Sequence, residues 1–248
     1  MSERDCADVF GVPVDRLRLA DLLDRVDAFV EAGDPRTLSY VNVHVLNEMR
    51  SNAELRTFLS GLDLCYCDGN GVKLVARILG YSLPERMTGA DWIWDLASRC
   101  AGRRKLFWLG GAPGVTERAA AVLRAEHPDL EVVFDHGYHA KEGPENDALI
   151  ERINASGADI VLVGMGTPAQ EAWVASVRER VRVPVVWCLG ATADFLAGEQ
   201  ARGPAWLVER QEWLARLISD PRRLWKRYLL GNAMVLSWAL WARCFGRR

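Results

Sequence analysis

Two turns of this chain carry residues that could bind an anion and accept a proton. The first, Gly164–Glu171 (GMGTPAQE), follows the apolar run 159–163, which predicts a buried parallel strand. Its glycines permit a tight turn, after which Thr167 can cap a helix that has Pro168 at its first position. Bare amide N–H groups at such a turn suit an anion, and Gln170 would project into the same crevice. An ordinary strand-to-helix turn is the alternative.

The second turn contains an acid. A short strand-like run, 62–67, ends in Asp68 and the glycine turn Gly69–Gly71, and a helical pattern follows as far as Leu79. A base at the end of a strand can point into the crevice, where an attacking hydroxyl group would lose its proton. A capping aspartate that accepts the N–H groups of the turn is the alternative.

Four motifs together resemble the WecG/TagA/CpsF family of bacterial glycosyltransferases. They are Asp68–Val72 (DGNGV), Glu85–Asp91 (ERMTGAD), Gly164–Glu171 and Arg202–Trp206 (RGPAW), in the order of the family. The resemblance extends from about Thr37 to Tyr228. It implies a Rossmann-like body with a C-terminal appendage. It also implies inverting transfer of a hexose-type sugar from a nucleotide diphosphate, UDP-linked and N-acetylmannosamine-like, to a polyprenyl-diphosphate-linked saccharide in cell-surface or extracellular polysaccharide synthesis.

The resemblance also implies roles for individual residues. Asp68 is the candidate general base, and Arg86 is the first candidate to neutralise the departing diphosphate; an ordinary surface salt bridge is the alternative for Arg86. Arginines of the tail, among them Arg216, are second candidates, because guanidinium binds phosphate through paired hydrogen bonds. The remaining substrate-binding candidates are Tyr40, Asn42, Gly69, Gly71, Thr88, Asp91, Gly164, Gly166, Gln170, Glu171, Asp194, Arg202, Arg223 and Arg227.

The chain departs from the family's pattern in two places. Asn42 is expected to bind the sugar or the nucleobase of the donor. Tyr40 replaces the threonine that usually accompanies this asparagine, so the identity of the donor sugar stays open. His44, predicted on the same strand face, is more often a core histidine than a ligand contact. Segment 190–195 lacks the family's paired glycines, although Asp194 stays in register.

A metal is not expected at the diphosphate. Many nucleotide-sugar enzymes hold the diphosphate through a metal bound by Asp-x-Asp, and this chain contains no Asp-x-Asp. Arginine or lysine side chains and helix N-termini must then neutralise the charge. We therefore expect neither a metal nor another cofactor.

The predicted elements that position these residues alternate between strands and helices. Val14–Ala32 predicts an amphipathic helix, and Thr37–Val45 the first strand. Further strands end at Cys67, Leu109, Asp135, Gly164 and Leu189, with single helices between them. This order predicts an α/β fold, a mostly parallel Rossmann-like sheet flanked by helices. From Pro204 the pattern is helical, so we divide the chain into a body, 1–200, and a helical C-terminal appendage, 201–248.

Basic residues and tryptophans gather in the tail. From Trp206 onward there are nine basic and three acidic residues, whereas the rest of the chain is acidic. The uncharged run Leu229–Ala242 is shorter than the roughly 20 residues that span a bilayer. Tryptophan beside arginine is typical of a helix at a membrane surface, so we expect peripheral binding to the cytoplasmic face of the plasma membrane. A helix packed on the core, or on another subunit of a homo-oligomer, is the alternative.

Composition is typical of an intracellular enzyme. The chain has 248 residues, half of them hydrophobic, enough for one large α/β core. Its six cysteines form no C-x-x-C pair, which favours reduced thiols over a metal site. The segment Met1–Asp5 has mixed charge and no apolar core, so we expect no signal peptide.

Two other classes of function stay open. A nucleotide-binding or methyltransferase-like Rossmann protein would use the turn Gly110–Gly114, which lacks the Gly-x-Gly-x-x-Gly spacing. A non-catalytic scaffold docked on the membrane would keep the fold alone; the presence of both Asp68 and Arg86 argues against it. A nucleic-acid partner is not expected, because the body is acidic.

Overall fold

The centre of the protein is a parallel sheet with helices packed on it. The structure, a computed structural model, describes residues 4–200 and 213–246, with Arg223 and Arg227 described by their backbones only. The strands lie in the spatial order β4 (Leu64–Cys67), β3 (Arg36–Val41), β8 (Val185–Cys188), β7 (Ile160–Gly164), β5 (Lys105–Gly110) and β6 (Glu131–Asp135). All neighbouring pairs are parallel. The predicted α/β, Rossmann-like sheet is confirmed.

The helices of the body are α1 (Leu19–Ala32), α2 (Val43–Glu48), α3 (Ala53–Ser60), α4 (Asn70–Leu79), α5 (Gly89–Cys100), α6 (Val115–Glu126), α7 (Gly143–Ala155), α8 (Ala169–Val177) and α9 (Thr192–Leu196). Helices α2 to α8 occupy the connections between the sheet strands, as parallel pairing requires, while α1 precedes β3 and α9 follows β8.

The two faces of the sheet bury separate apolar clusters. Along β5, Trp108 belongs to one cluster, whereas its neighbours Phe107 and Leu109 belong to the other, as the alternation of a strand demands. In the first cluster the ring of Trp187 stacks on Trp92 of α5, with centroids 4.2 Å apart. Burial on both faces explains why the strands are almost continuously apolar.

The start predicted for the first helix, Val14, was wrong. Residues 12–15 form strand β2 (Val12–Asp15), which pairs antiparallel with β1 (Cys6–Val9), and α1 begins only at Leu19. The hairpin turn consists of Phe10 and Gly11, both with positive φ (59° and 85°), as the common two-residue turns require.

The first sheet strand was predicted too long. It ends at Val41, because the side chain of Asn42 accepts a hydrogen bond from Val45 N and so caps α2. His44 therefore lies on a helix and not on the strand face shared with Asn42.

The C-terminal segment is helical, as predicted. Residues 213–219 are helical and are followed by α10 (Pro221–Trp225), a π-helical stretch (Lys226–Leu230) and α11 (Gly231–Phe245). The start predicted at Pro204 lies outside the described residues. No described helix has the length and apolar character to cross a membrane.

Helix α11 packs on the body through one face. Val235 and Ala239 are fully buried, and the ring of Trp238 stacks on Phe10 of the hairpin turn at a centroid distance of 3.5 Å. Asn47 of α2 donates a hydrogen bond of 2.9 Å to the carbonyl of Gly231. The C-terminal helix is thus joined to the body that contains the motifs.

Candidate active site

Both oxygens of the Asp68 carboxylate are held by neighbouring side chains. Pairing of β3 with β4 brings Val41 beside Cys67, so the residues that follow each strand, Asn42 and Asp68, lie side by side. The Asn42 amide donates to Asp68 Oδ2 at 3.0 Å, and the Thr88 hydroxyl donates to Oδ1 at 3.0 Å. A carboxylate oxygen can accept more than one hydrogen bond, so these two donors alone do not prevent the group from taking a proton.

Arg86 continues this arrangement through Thr88. Arg86 Nη1 donates to Thr88 Oγ1 at 3.2 Å, and it lies 3.8 Å from Asp91 Oδ2. Thr88 precedes α5 but makes no side-chain cap hydrogen bond to it. Its hydroxyl connects the arginine to the carboxylate instead.

Two cavities meet at Asp68. One is polar, has a volume of about 210 Å³ and lies over the carboxyl ends of the sheet strands. The other, of about 450 Å³, is mainly apolar and lies between α4 and the C-terminal helices. The residues in the walls of both are Asn42, His44, Asp68 and Arg216. The carboxylate is therefore accessible from two chemically different compartments.

The N-terminus of a helix forms part of the wall of the polar cavity. Thr88, Gly89 and Ala90, at the N-terminus of α5, form part of its wall, beside Gly166 and Thr167. A helix N-terminus presents unpaired N–H groups and partial positive charge, which attract anions. On another side, Arg216 lies over the ring of Phe195 at 4.4 Å and so brings a permanent positive charge to the wall.

The apolar cavity is enclosed by helices from both ends of the described chain. Arg86 and the glycine turn after Asp68 form its polar edge. The apolar part of the wall consists of Val43, Leu74, Val75, Trp213, Tyr228, Leu229, Val235 and Leu236. This compartment suits a ligand that has both an anionic and a hydrocarbon part.

The glycines of the motifs serve two different structural purposes. At Gly71 a Cβ would collide with the side chain of Val43, so this glycine lets α4 pack closely on α2. Gly69 and Gly166 have positive φ (98° and 77°) and open space where a Cβ would stand. Gly69 lies in the wall of the apolar cavity and Gly166 in the wall of the polar one.

Gln170 and Glu171 lie beneath the polar cavity. Both are fully buried, and neither belongs to the wall of the two cavities described here. Gln170 donates to Glu171 Oε1 at 2.8 Å and accepts from Gly190 N at 3.1 Å. Thr167 also donates to that carboxylate at 2.8 Å, and α8 starts at Ala169, so the predicted cap by Thr167 was wrong.

Burial is the main cause of the pKa shifts of Glu171 and Tyr40, at the floor of the polar cavity. It raises the pKa of Glu171, although hydrogen bonds from Gln170 and Thr167 act in the opposite direction. It also raises the pKa of Tyr40, whose ring belongs to the wall of the polar cavity. The polar side chains beneath the cavity are thus buried, and burial disfavours the charged forms of Glu171 and Tyr40.

The remaining predicted site residues are distributed more widely. Asp91 contacts Arg86, Gly164 packs closely against the carbonyl of Gly190, and Asp194 lies on α9 behind the wall residues 191 and 192. Arg202, and the side chains of Arg223 and Arg227, lie outside the described residues.

Sequence reasoning missed two parts of the site. His44 was expected in the core, yet it lies in the walls of both cavities, with Nδ1 3.6 Å from Glu48 Oε1. The apolar wall was also missed. Its only sequence signal was Leu74, which falls on the polar face of the otherwise amphipathic α4 and is 44% exposed.

The fold and the site together define a Rossmann-like enzyme with its reactive groups at the carboxyl edge of a parallel sheet. The model of the glycosyl transferase WecG/TagA/CpsF family matches residues 7–248, essentially the whole chain, and the chain belongs to this family. It is therefore a glycosyltransferase, of a family that acts in polysaccharide synthesis.

Proposed function

We propose that the protein transfers a hexose-type sugar, with inversion, from a nucleotide diphosphate donor to a saccharide carried on polyprenyl diphosphate. The donor is UDP-linked and N-acetylmannosamine-like, and the product enters a cell-surface or extracellular polysaccharide. The observation that carries this proposal is the position of Asp68 between the two cavities. The polar cavity suits the sugar and phosphate of the donor, and the apolar one suits the lipid end of the acceptor.

Asp68 acts as the general base. It takes the proton of the acceptor hydroxyl while that oxygen attacks the anomeric carbon, and the bond from this carbon to the diphosphate oxygen breaks. The nucleoside diphosphate leaves with the bonding electrons. A single displacement inverts the configuration and needs one carboxylate only. Asn42 and Thr88 hold that carboxylate in one orientation.

Positive groups of the chain neutralise the leaving diphosphate. Arg86 and Arg216 lie in the cavity walls, and the N-terminus of α5 adds partial positive charge. Guanidinium forms paired hydrogen bonds with phosphate and does not titrate. The proposed reaction needs no metal and no other cofactor.

The first prediction concerns Asp68→Asn, which keeps the shape of the side chain and removes the base. Turnover should fall by about 10²–10⁴ while donor binding persists. The assay supplies a panel of UDP- and GDP-sugars with a polyprenyl-diphosphate-linked acceptor and is repeated in excess EDTA, where wild-type activity should be unchanged.

Asp95→Asn is the matched control, because Asp95 is exposed on α5 and lies in neither described cavity wall. Near-normal turnover of Asp68→Asn would reject Asp68 as the base. A requirement for Mg²⁺ or Mn²⁺ would reject metal-free neutralisation. Absence of turnover by the wild type with every donor would favour the non-catalytic scaffold.

We also propose that the protein docks peripherally on the cytoplasmic face of the plasma membrane through α11. Met234, Trp241 and Phe245 lie on one face of this helix, roughly 120° around its axis from the buried Val235 and Ala239, and they are 49%, 60% and 73% exposed. A polyprenyl chain leaves a bilayer at a cost of about 0.8 kcal/mol per CH₂, so the enzyme must come to the lipid. Exposed basic residues that could meet anionic headgroups lie on the same segment: Arg222, Lys226 and Arg243.

A further inference from the structure

A second cluster of titratable groups lies at the opposite edge of the sheet from Asp68. It consists of Asp135, which ends β6, and two histidines of the following loop, His136 and His139. In the order β4-β3-β8-β7-β5-β6, five strand spacings separate the ends of β4 and β6. At about 4.8 Å per spacing, the cluster is roughly 24 Å from the proposed base. It does not belong to the glycosyl-transfer site.

The side chains of the cluster converge closely. His139 Nε2 lies 3.0 Å from Asp135 Oδ1, and potential ligand atoms of the three residues lie within 4.8 Å of one another. The two imidazole rings stack, with centroids 4.0 Å apart and an angle of 16° between planes. His139 Nδ1 lies 3.1 Å from Glu145 Oε1 on α7. Asp135 Oδ2 pairs with Arg152.

The contact with Glu145 decides which nitrogen of His139 is available. Glu145 occupies the Nδ1 side of the ring, so Nε2 is the nitrogen that faces Asp135. Nε2 is buried and lies 3.0 Å from Asp135 Oδ1, a geometry in which one metal ion could bind both atoms.

We propose that Asp135, His136 and His139 bind a divalent transition-metal ion of the Zn²⁺ type. Two imidazoles and one carboxylate are a typical ligand set for Zn²⁺, and the ion leaves the fourth position to water. Ligands about 2.1 Å from zinc stand roughly 3.4 Å apart, a spacing that His139 and Asp135 already approach. Glu145 is a positioning residue that orients His139. With Arg152 included, the charged groups around the ion carry one net negative charge.

His136 must adjust to complete the site. Its Nδ1 accepts the N–H of Tyr138 at 3.2 Å, which places a proton on Nε2. Binding through either nitrogen releases this hydrogen bond, and a tilt of the ring ends the parallel stacking on His139. The adjustment lies in a loop between β6 and α7, where Tyr138 is 76% exposed.

The ion would fix the loop that supports the polar cavity. Gly137 N donates to Gly111 O at 2.9 Å, and Lys141 Nζ contacts Gly137 O at 2.8 Å and Met165 Sδ at 3.0 Å. Met165 precedes Gly166, which belongs to the cavity wall. The contacts of Gly137 and Lys141 hold this loop without the ion, so removal of the metal should lower stability and leave turnover unchanged in excess EDTA.

The test is titration of the chelator-treated full chain with Co²⁺, an optical substitute for Zn²⁺. Every protein carries Cys244→Ser, because Cys244 is an exposed thiol that could bind metal itself. Visible d–d bands should saturate at one equivalent without a thiolate charge-transfer band, and Zn²⁺ should displace Co²⁺ and raise the melting temperature.

Three variants locate the site, with His127→Gln as the matched control because His127 is half-exposed and lies before the start of β6, whereas the cluster lies at its end. His139→Gln and His136→Gln should each abolish the bands, Glu145→Gln should weaken affinity by about 10- to 100-fold, and the control should bind like wild type. Circular dichroism verifies that each variant is folded. Equal binding by His139→Gln and His127→Gln, a thiolate band, or no binding by the wild type would overturn the proposal.

Discussion

At the scale of single residues, the meeting of Asn42 and Asp68 was predictable because each follows a strand, and parallel strands place their carboxyl ends along one edge. Thr88 follows no strand; it reaches Asp68 because Met87 N donates a hydrogen bond to Cys67 O at the end of β4. Which of the polar motif residues would be buried was not predictable. Gln170 has the same polar character as Asn42, yet it lies beneath the cavity because Gly190 N, from a distant part of the chain, binds its side-chain oxygen.

The hydroxyl of Thr88 is expected to position the base. Thr88→Val keeps the volume but removes the donor to Asp68 and the acceptor of Arg86. A hydrogen bond to a charged group contributes about 1.5–3 kcal/mol, so we expect turnover to fall by about 10- to 100-fold.

Steady-state kinetics check this, with separate values for kcat and KM. Thr88→Ser restores the hydroxyl and should recover most of kcat. Equal activity of the valine and serine variants would show that the hydroxyl has no part in the reaction.

Glu171 should make stability depend on pH in an unusual direction. Because burial raises its pKa, the folded protein binds the proton more tightly than the unfolded chain does. The contribution is fully present below the ordinary glutamate pKa of 4.5 and is lost as pH rises through the raised value in the folded state. Glu171→Gln cannot titrate, so its unfolding free energy should lack this decline.

Urea unfolding at a series of pH values measures the difference. Glu179→Gln is the control, since Glu179 is exposed and lies beyond the end of α8. A decline of the same size in the wild type and in Glu171→Gln would assign it to other groups.

At the scale of elements, segments with strong hydrophobic periodicity were predicted well. The exact ends of elements were not, where a hairpin or a capping side chain interrupts the pattern. The sheet strands from β4 to β8 follow from apolar runs that contain nothing to interrupt them. The predicted helix from Val14 failed because its first residues pair with β1, which only the tight turn at Phe10 and Gly11 signals. The strand predicted to Val45 failed because a capping side chain, Asn42, ends it.

The hairpin is tied to the sheet by one buried carboxylate. Asp15 is fully buried, pairs with Arg4 and Arg25, and accepts Cys65 N at 2.8 Å. Asp15→Ala should lower the unfolding free energy by about 3 kcal/mol, at the low end for a buried pair that loses one partner, because both arginines are about one-third exposed.

Chemical denaturation measures this loss. Asp8→Ala, in the exposed part of the same hairpin, is the control and should cost much less. A loss below about 1 kcal/mol for Asp15→Ala would mean that the two arginines find other partners or water without penalty.

At the scale of the whole molecule, α11 has two faces with different roles. Its residues Val235 and Leu236 help to form the apolar cavity, whereas Met234, Trp241 and Phe245 face outward. The sequence predicted an apolar helix beside basic residues but not which residues point inward, because that depends on contacts with α2 and α4. The membrane-surface hypothesis and the packed-helix alternative therefore describe different faces of one helix.

This arrangement determines how membrane docking must be tested. Deletion of the tail would expose the surface that Val235 and Ala239 cover and would remove a cavity wall, so it would confound docking with folding. Substitution of the outer face avoids this. The triple variant Met234→Ser, Trp241→Ser and Phe245→Ser should fold and melt like the wild type.

We expect that triple variant to bind vesicles of anionic phospholipid about 30-fold more weakly, equivalent to about 2 kcal/mol for three partly inserted apolar side chains. Cosedimentation measures the binding, and Val122→Ser, an exposed apolar residue of α6, is the control. Turnover should persist on a short-chain, water-soluble acceptor and fall on a long-chain acceptor in vesicles, because only the latter requires the enzyme at the bilayer. Undiminished sedimentation of the triple variant would reject docking through this face and would leave the packing of α11 on the body as its only role.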